Sequence, residues 1–293
     1  MIRESSIRRA ASLLGLLTLL VPPLVLAQAP AFPFSAEART HFDVPYVPTP
    51  QVTVDEMLRL GGVGPGDFIL DLGSGDGRIV VTAAQKFGAR GMGVDLDPHL
   101  IYQSEERARA AGVEDRAKFV QQDLFKTDLR QATVITMYLL PGVVRKLRPH
   151  LLALKPGTRI VSHDFDLEDW KPDRMTTIRK NVMLWIVPAP VAGRWQVRVP
   201  LPPIERQLEF ELTQRYQEIG AHSRLNGIPA QVWEPKIEGE RISFVVVDSS
   251  DRENEATLYF SGRVDGDIME GEVVQGVGAS RVTSRWRAVR APR

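Results

Sequence analysis

Residues 68–80 read Phe-Ile-Leu-Asp-Leu-Gly-Ser-Gly-Asp-Gly-Arg-Ile-Val, with Gly73, Gly75 and Gly77 set between two acids, Asp71 and Asp76. The apolar run before the glycines reads as a buried strand, and a helical pattern opens at Arg78. Glycine lets the backbone come close to a ligand, and a helix N-terminus adds aligned N–H groups and a partial positive charge. Dinucleotide-binding chains use G-x-G-x-x-G at this place, with a pyrophosphate against the helix end. Here the third glycine arrives one residue early, and carboxylates beside a pyrophosphate would repel it. No lysine stands in the loop, which excludes the phosphate-gripping P-loop pattern. The two acids instead suit a cationic or zwitterionic ligand, one that carries an ammonium and a sulfonium.

The loop resembles the D/E-x-G-x-G-x-G element of class I S-adenosylmethionine (SAM) methyltransferases, which implies SAM as the cofactor. Such enzymes place an acid at the end of the next strand for the ribose hydroxyls. Asp95, in Gly93-Val94-Asp95-Leu96-Asp97, stands about 20 residues on, as ribose recognition requires. Asp97 precedes Pro98 and reads as a helix N-cap with proline at the first helical position. The resemblance also implies that Gln122 and Asp123, after the third strand, meet the adenine amine. Taken alone, Asp123 would be a solvated loop acid.

A narrower resemblance rests on Tyr46-Val47-Pro48-Thr49-Pro50, Gln51, Met57-Leu58 and the Gly-Asp-Gly-Arg-Ile-Val run at 75–80. Leu100, Ser104, Arg107, Ala117-Lys118-Phe119, Asp123-Leu124 and Trp170-Lys171-Pro172-Asp173 extend it. These residues are similar to a lysine methyltransferase family whose known members modify the mitochondrial ATP synthase c-subunit and the adenine nucleotide translocase. The similarity covers roughly residues 45–175. It implies that the lead-in folds over the cofactor, with Tyr46 and Thr49 as contacts; the other reading of these two is a rigid proline-rich turn. Two loops depart from the family pattern: Thr136-Met137-Tyr138-Leu139-Leu140-Pro141, and Ser162-His163-Asp164-Phe165 where Arg-Phe-Pro is expected. Both border the acceptor, so acceptor choice is the inference that transfers least.

Methyl transfer from a sulfonium needs alignment, exclusion of water and, for an ammonium acceptor, removal of a proton. Tyr138, at the expected end of the fourth strand, is a candidate to orient an amine through its hydroxyl or ring face, or else a packing tyrosine. His163, at the end of the fifth strand, is a candidate proton relay or a structural histidine, and Asp164 either orients it or faces solvent. The other histidines show no metal-ligand spacing and there are no cysteines, so no metal is expected.

Positioning these groups requires a layered domain. Strand patterns at Phe68–Leu72, Gly91–Asp95, Lys118–Gln121, Thr133–Leu139 and Arg159–Ser162 alternate with helical stretches at Arg78–Phe87, Pro98–Ala111 and Gly142–Leu154. This order predicts a Rossmann-like α/β sheet of parallel strands with helices on both faces over residues 53–190. Thr53 to Glu56 reads as a capping box opening the first helix. A Pro-rich lead-in occupies 30–52. From Gly193, alternating runs punctuated by Asn226-Gly227, Glu238-Gly239 and Asp265-Gly266 predict a separate antiparallel all-β domain, a sheet or partial barrel over 193–293. Within it, Arg281, Arg285, Arg287 and Arg290 raise a basic stripe, yet at alternating spacing only Arg285 and Arg287 clearly share a face. Substrate docking or self-association through an edge strand is the role left open for this domain.

Residues 1–29 carry Arg3, Arg8 and Arg9, an apolar run from Ala10 to Leu26, and Ala27-Gln28-Ala29. That is the pattern of an export signal cleaved after Ala29, too short and too interrupted by Pro22-Pro23 for a membrane span. Arg8-Arg9 makes a weak twin-arginine match. Removing the segment takes away Arg3, Arg8, Arg9 and Glu4 and turns a formal charge of +1 into −1. Neither balance supplies a basic field for nucleic acid. The expectation is a periplasmic or secreted SAM-dependent methyltransferase acting on a protein lysine amine. The alternatives are a small-molecule acceptor, with the β domain as a lid, or a binding protein that keeps the fold without turnover.

Overall fold

The computed structural model of the chain describes residues 46–201, 205–248, 256–276 and 280–292. The expected export segment and the lead-in up to Pro45 lie outside the described residues. Among those described, no helix is long and apolar enough to cross a membrane.

The first half contains α1 (Gln51–Leu60), β1 (Phe68–Leu72), α2 (Arg78–Phe87), β2 (Arg90–Asp95), α3 (Pro98–Ala110), β3 (Ala117–Gln121), β4 (Val134–Met137), α4 (Pro141–Leu152), β5 (Arg159–His163), β6 (Arg174–Ile178) and β7 (Lys180–Ile186). The sheet order is β3-β2-β1-β4-β5-β7-β6. Strands β1 to β5 are parallel, as the alternating pattern requires. Strand β7 runs antiparallel to both β5 and β6, so the sheet is mixed. The sequence reading missed this pair for a physical reason. Asn181 to Ile186 is a nearly unbroken apolar run without period-2 alternation, and β6 is a mostly exposed edge.

Leu70, Leu72, Ile135, Met137 and Ile160 pack against Val144, Leu147 and Leu151 of α4 on one face, while Ile69, Val134 and Val161 pack against α1 and α2 on the other. The helix α1 begins at Gln51 with Pro50 as its cap and no side-chain cap bond, so the capping box does not form. Thr53 and Glu56 lie inside the helix instead. The Glu56 carboxylate accepts from Arg59 and from Thr176 Oγ1 at 2.9 Å, tying α1 to β6.

The second half closes into an eight-stranded antiparallel barrel: β8 (Gly193–Val199), β9 (Arg206–Arg215), β10 (Glu218–Leu225), β11 (Ile228–Glu238), β12 (Arg241–Asp248), β13 (Ala256–Asp265), β14 (Ile268–Gln275) and β15 (Val282–Arg290). Alternation does the closing work: Trp195, Val197 and Val199 point inward along β8 while Arg194, Gln196 and Arg198 point out. Phe244, Phe260 and Trp286 meet at ring separations of 4.7–5.8 Å in the interior. Because β9 pairs β10 and β15 pairs β8, the barrel has no open edge for self-association, which removes that expected role. Arg285 and Arg287 stand opposite Glu272 and Glu270, and Arg290 lies over the Trp195 ring at 4.2 Å, so no basic stripe forms.

The barrel meets the sheet domain through the β9–β10 turn. Trp170 donates to Gln217 Oε1 at 2.9 Å and stacks on Tyr216 at 5.6 Å, while Asp169 pairs with Arg215 and Lys171 with Glu218.

Candidate functional site

Strand order reverses at β1, which has β2 on one side and β4 on the other, and a crevice opens beyond the carboxyl ends there. It holds a cavity of about 510 Å³ whose wall includes Tyr46, Thr49, Asp71, Gly73, Asp95 and Tyr138.

Asp71 ends β1 almost fully buried. Its Oδ1 accepts from Thr136 Oγ1 at 2.8 Å, and its Oδ2 has no partner. Burial pushes its pKa up to about 7, with the nearby Asp95 and Asp76 charges adding to the rise. Ser74 Oγ is buried and unpartnered too, but it lies against Gly93 of β2. The N–H groups of Gly73 and Ser74 donate to Val94 O at 3.0 and 2.9 Å, pinning the loop to β2. Gly73, Gly75 and Gly77 all take left-handed φ values, of 74°, 55° and 74°.

The three glycines do different work. Gly73 forms part of the wall. Gly75 lies beneath Tyr46, and a Cβ there would clash with the tyrosine ring. Gly77 faces away from the cavity, where a Cβ would meet Phe119 and Ser104 at 2.6–2.7 Å. Gly75 and Gly77, both expected as cofactor contacts, thus lie outside the wall and serve the loop's packing.

Asp76 also departs from expectation. Arg78 donates to both of its oxygens, at 2.8 and 2.7 Å, and Arg107 to one at 2.5 Å. Burial pushes this carboxyl up, but those hydrogen bonds and charges outweigh it and hold it below its usual range. Asp76 therefore offers no bare charge to a ligand. It fastens Arg78, which in turn donates to Thr49 O at 2.8 Å and holds the lead-in over the loop.

On the far side, Asp95 accepts from Gly75 N at 2.9 Å and from Asp97 N at 3.0 Å, one bond per oxygen. Each oxygen keeps a lone pair for a further donor. Asp97 caps α3 through His99 N, as its place before Pro98 predicts. Gln122 donates to Thr127 Oγ1 at 3.0 Å, and Asp123 caps a short 3-10 turn through Phe125 N at 2.9 Å. Both lie in the wall, beside Leu124 and Phe125.

Tyr138 follows β4 and faces the cavity. His163, only 2% exposed, is stacked behind it with ring centroids 4.1 Å apart and its Nδ1 3.2 Å from Thr49 Oγ1. Burial lowers the His163 pKa and keeps the ring neutral, and the ring lies behind Tyr138 rather than in the wall. Asp164 turns from His163 to pair with Lys180. Lys180, whose Nζ is 3.4 Å from Tyr138 Oη, belongs to a strand the sequence reading did not find, so nothing in the pattern pointed to it. Among the described residues no group of histidines and carboxylates could hold a metal ion.

Residues 71–174 match the family model of the ANTKMT methyltransferase domain. A protein-lysine N-methyltransferase of Saccharolobus islandicus is 41% identical over 48% of this chain and 88% of its own length. The chain belongs to this lysine methyltransferase family. The lysine N-methyltransferase of the ATP synthase c-subunit from mouse (Mus musculus) is 34% identical over 52% of this chain, which spans 62% of that relative's length. A solved structure described as an RNA methyltransferase from Salinibacter ruber with S-adenosyl-L-homocysteine is 50% identical, covering 50% of this chain and 96% of that one at a TM-score of 0.48.

As a methyltransferase of this family the protein uses SAM, and the wall fits that cofactor. The unpartnered Oδ2 of Asp71 is short of a cation or donor, which an α-ammonium would supply. Asp95 retains acceptor capacity for vicinal hydroxyls, and Ile79, Leu96, Leu100 and Leu124 give the wall apolar surface for a base.

Proposed function

We propose that the protein transfers a methyl group from SAM to a lysine side-chain amine of a protein acceptor. The observation that carries this is the charge of the wall: Asp95, Asp97 and Asp123 add negative charge to it, while Asp76 is offset by Arg78 and Arg107. Such a surface attracts an ammonium and repels the phosphates of a nucleic acid. The names of its lysine-modifying relatives agree with it.

Bound SAM supplies an electrophilic methyl group. The chain's residues do the rest. Asp71 and the Gly73–Ser74 backbone hold the ammonium end, Asp95 the ribose hydroxyls, Asp123 and Gln122 the adenine side, and Tyr46 with Thr49 closes the lead-in above. An acceptor ammonium entering beside Tyr138 would lose hydration next to the positive sulfonium, which lowers its pKa so that its proton passes to solvent water and the lone pair is freed for the methyl group. Tyr138 Oη orients that nitrogen. His163 positions Tyr138 and Thr49 and moves no proton.

Incubating the purified chain and methyl-labelled SAM with a cell lysate, followed by acid hydrolysis, decides the acceptor. Label recovered as methyl-lysine is expected; label confined to RNA or to small metabolites overturns the reading. The place of action is part of the same proposal, periplasmic or secreted after cleavage at Ala29. N-terminal sequencing of the protein from fractionated cells checks it, and an uncleaved cytoplasmic protein refutes it.

A further inference from the structure

Three strands bring Tyr138, Asp164 and Lys180 to one point at the carboxyl edge of the sheet. Met137 is in register with Ser162, and His163 with Val182, so the residues just beyond these pairs converge. The Lys180 ammonium lies 5.8 Å from the Tyr138 ring centroid, donates to Tyr138 Oη at 3.4 Å and pairs with Asp164. An aromatic face, a hydroxyl and a carboxylate around one amine is how proteins recognise an alkylammonium. Phe165 stacks on the same tyrosine at 5.9 Å.

Backbone geometry adds a second observation. Asp164 and Arg179 both hold left-handed φ, 69° and 61°, and Asp164 N donates to Asn181 O at 2.7 Å. Left-handed non-glycine residues cost free energy and persist where the surroundings impose them. The ion pair they bring together leaves Lys180 half exposed, and such a pair returns little stability. The Arg179 conformation serves the turn between β6 and β7, whereas the Asp164–Lys180 pair itself gives the fold little.

We propose that Tyr138 and Asp164 form an alkylammonium subsite for the acceptor, occupied in the resting protein by the chain's own Lys180, which an incoming lysine displaces. This rests on the lysine reading above. Tyr138 belongs at once to the subsite and to the cavity wall, which places an amine held there next to the methyl donor's side of the site. Hydrogen bonds to Asp164 and Tyr138 raise the Lys180 pKa, so the subsite receives an amine as its ammonium, and an acceptor docked there gives up its proton only beside the sulfonium. Lys180 is a stand-in for the acceptor, and its flexible stem lets it swing into solvent when replaced.

The test uses n-butylamine hydrochloride as the probe, titrated calorimetrically into the full chain with S-adenosylhomocysteine present. Lys180→Ala should bind the probe about tenfold more tightly than the unaltered protein, because the subsite is vacated with its carboxylate unpaired. Lys180→Arg, which keeps an occupant, should stay weak, and Asp164→Asn added to Lys180→Ala should abolish the gain. Equal affinity in the unaltered protein and Lys180→Ala overturns the proposal, as does a gain that survives Asp164→Asn. Unchanged unfolding midpoints establish that the variants fold. The two readings fail separately: label in RNA alongside a probe gain removes the lysine acceptor, whereas methyl-lysine without a probe gain removes the subsite.

Discussion

Replacing Asp71 with asparagine should stabilise the cofactor-free protein at pH 8 and yet cost it the cofactor. The carboxyl group is buried with one oxygen bonded to Thr136 and the other bare. Its pKa stands at about 7 in the fold against 3.8 for the free group. Below pH 3.8 the group is protonated in both states and costs nothing. As pH rises from 3.8 to 7 the unfolded chain sheds the proton and the folded chain retains it, so stability falls. Above 7 the loss is complete, and a displacement of that size is worth about 4 kcal/mol.

Asparagine is neutral at every pH and keeps an acceptor for Thr136. It also places an NH2 where Oδ2 was, and an unpaired buried donor costs about 1–3 kcal/mol. The variant should therefore be less stable than the unaltered protein near pH 4 by about 1–3 kcal/mol and more stable at pH 8 by a similar amount. Urea unfolding without cofactor at pH 4, 6 and 8 measures the difference. A gap that does not grow with pH refutes the reasoning. In the unaltered protein SAM affinity should weaken about tenfold per pH unit below 7, because the carboxyl must ionise to meet the ammonium. Asp71→Asn should lose both the affinity and that pH dependence.

Asp95→Ala removes the acceptor for Gly75 N and Asp97 N along with the proposed ribose contact, and calorimetry should show SAM binding weakened at least about tenfold. Gly75→Ala drives a methyl group into the Tyr46 ring, so it should displace the lead-in and weaken SAM binding with a small change in unfolding midpoint. Gly77→Ala meets Phe119 and Ser104 in the packed core and should show the reverse, a loss of about 1–3 kcal/mol in urea unfolding. Gln217→Ala strips Trp170 Nε1 of its partner and should cost about 1–3 kcal/mol, lowering methyl transfer while SAM affinity holds.

What the sequence disclosed and what it withheld follow from range. The strand–loop–helix from Phe68 to Phe87 was legible to the residue because its glycines, acids and apolar run are consecutive, and local chemistry imposes the turn. Asp95 and Asp97 were separable by the same local logic, one ending a strand and one capping a helix. Asp76 lies in the wall as expected, but its charge is met by Arg78, two residues on, and by Arg107, 31 residues away on α3, which only the fold brings to it. The pair Asp164 and Lys180 was invisible likewise: β7 carries no alternation, and its antiparallel direction is what returns Lys180 to the carboxyl edge.

That same return path gives the barrel a reason to be where it is. The segment joining β5 to β6 begins at Asp164, on the acceptor side, and reaches Trp170, which the barrel's β9–β10 turn grips through Gln217 and Tyr216. Trp170 is fully buried, and its carbonyl accepts from Trp185 Nε1 at 2.7 Å, so the segment is clamped from the sheet and from the barrel together. A clamp six residues from Asp164 limits how far that carboxylate can follow an incoming amine. On the proposed subsite, the barrel, lying beyond the matched 71–174 region, would bear on the acceptor rather than on the cofactor. This is why loss of the Gln217 contact should reach catalysis through the acceptor while leaving SAM affinity intact.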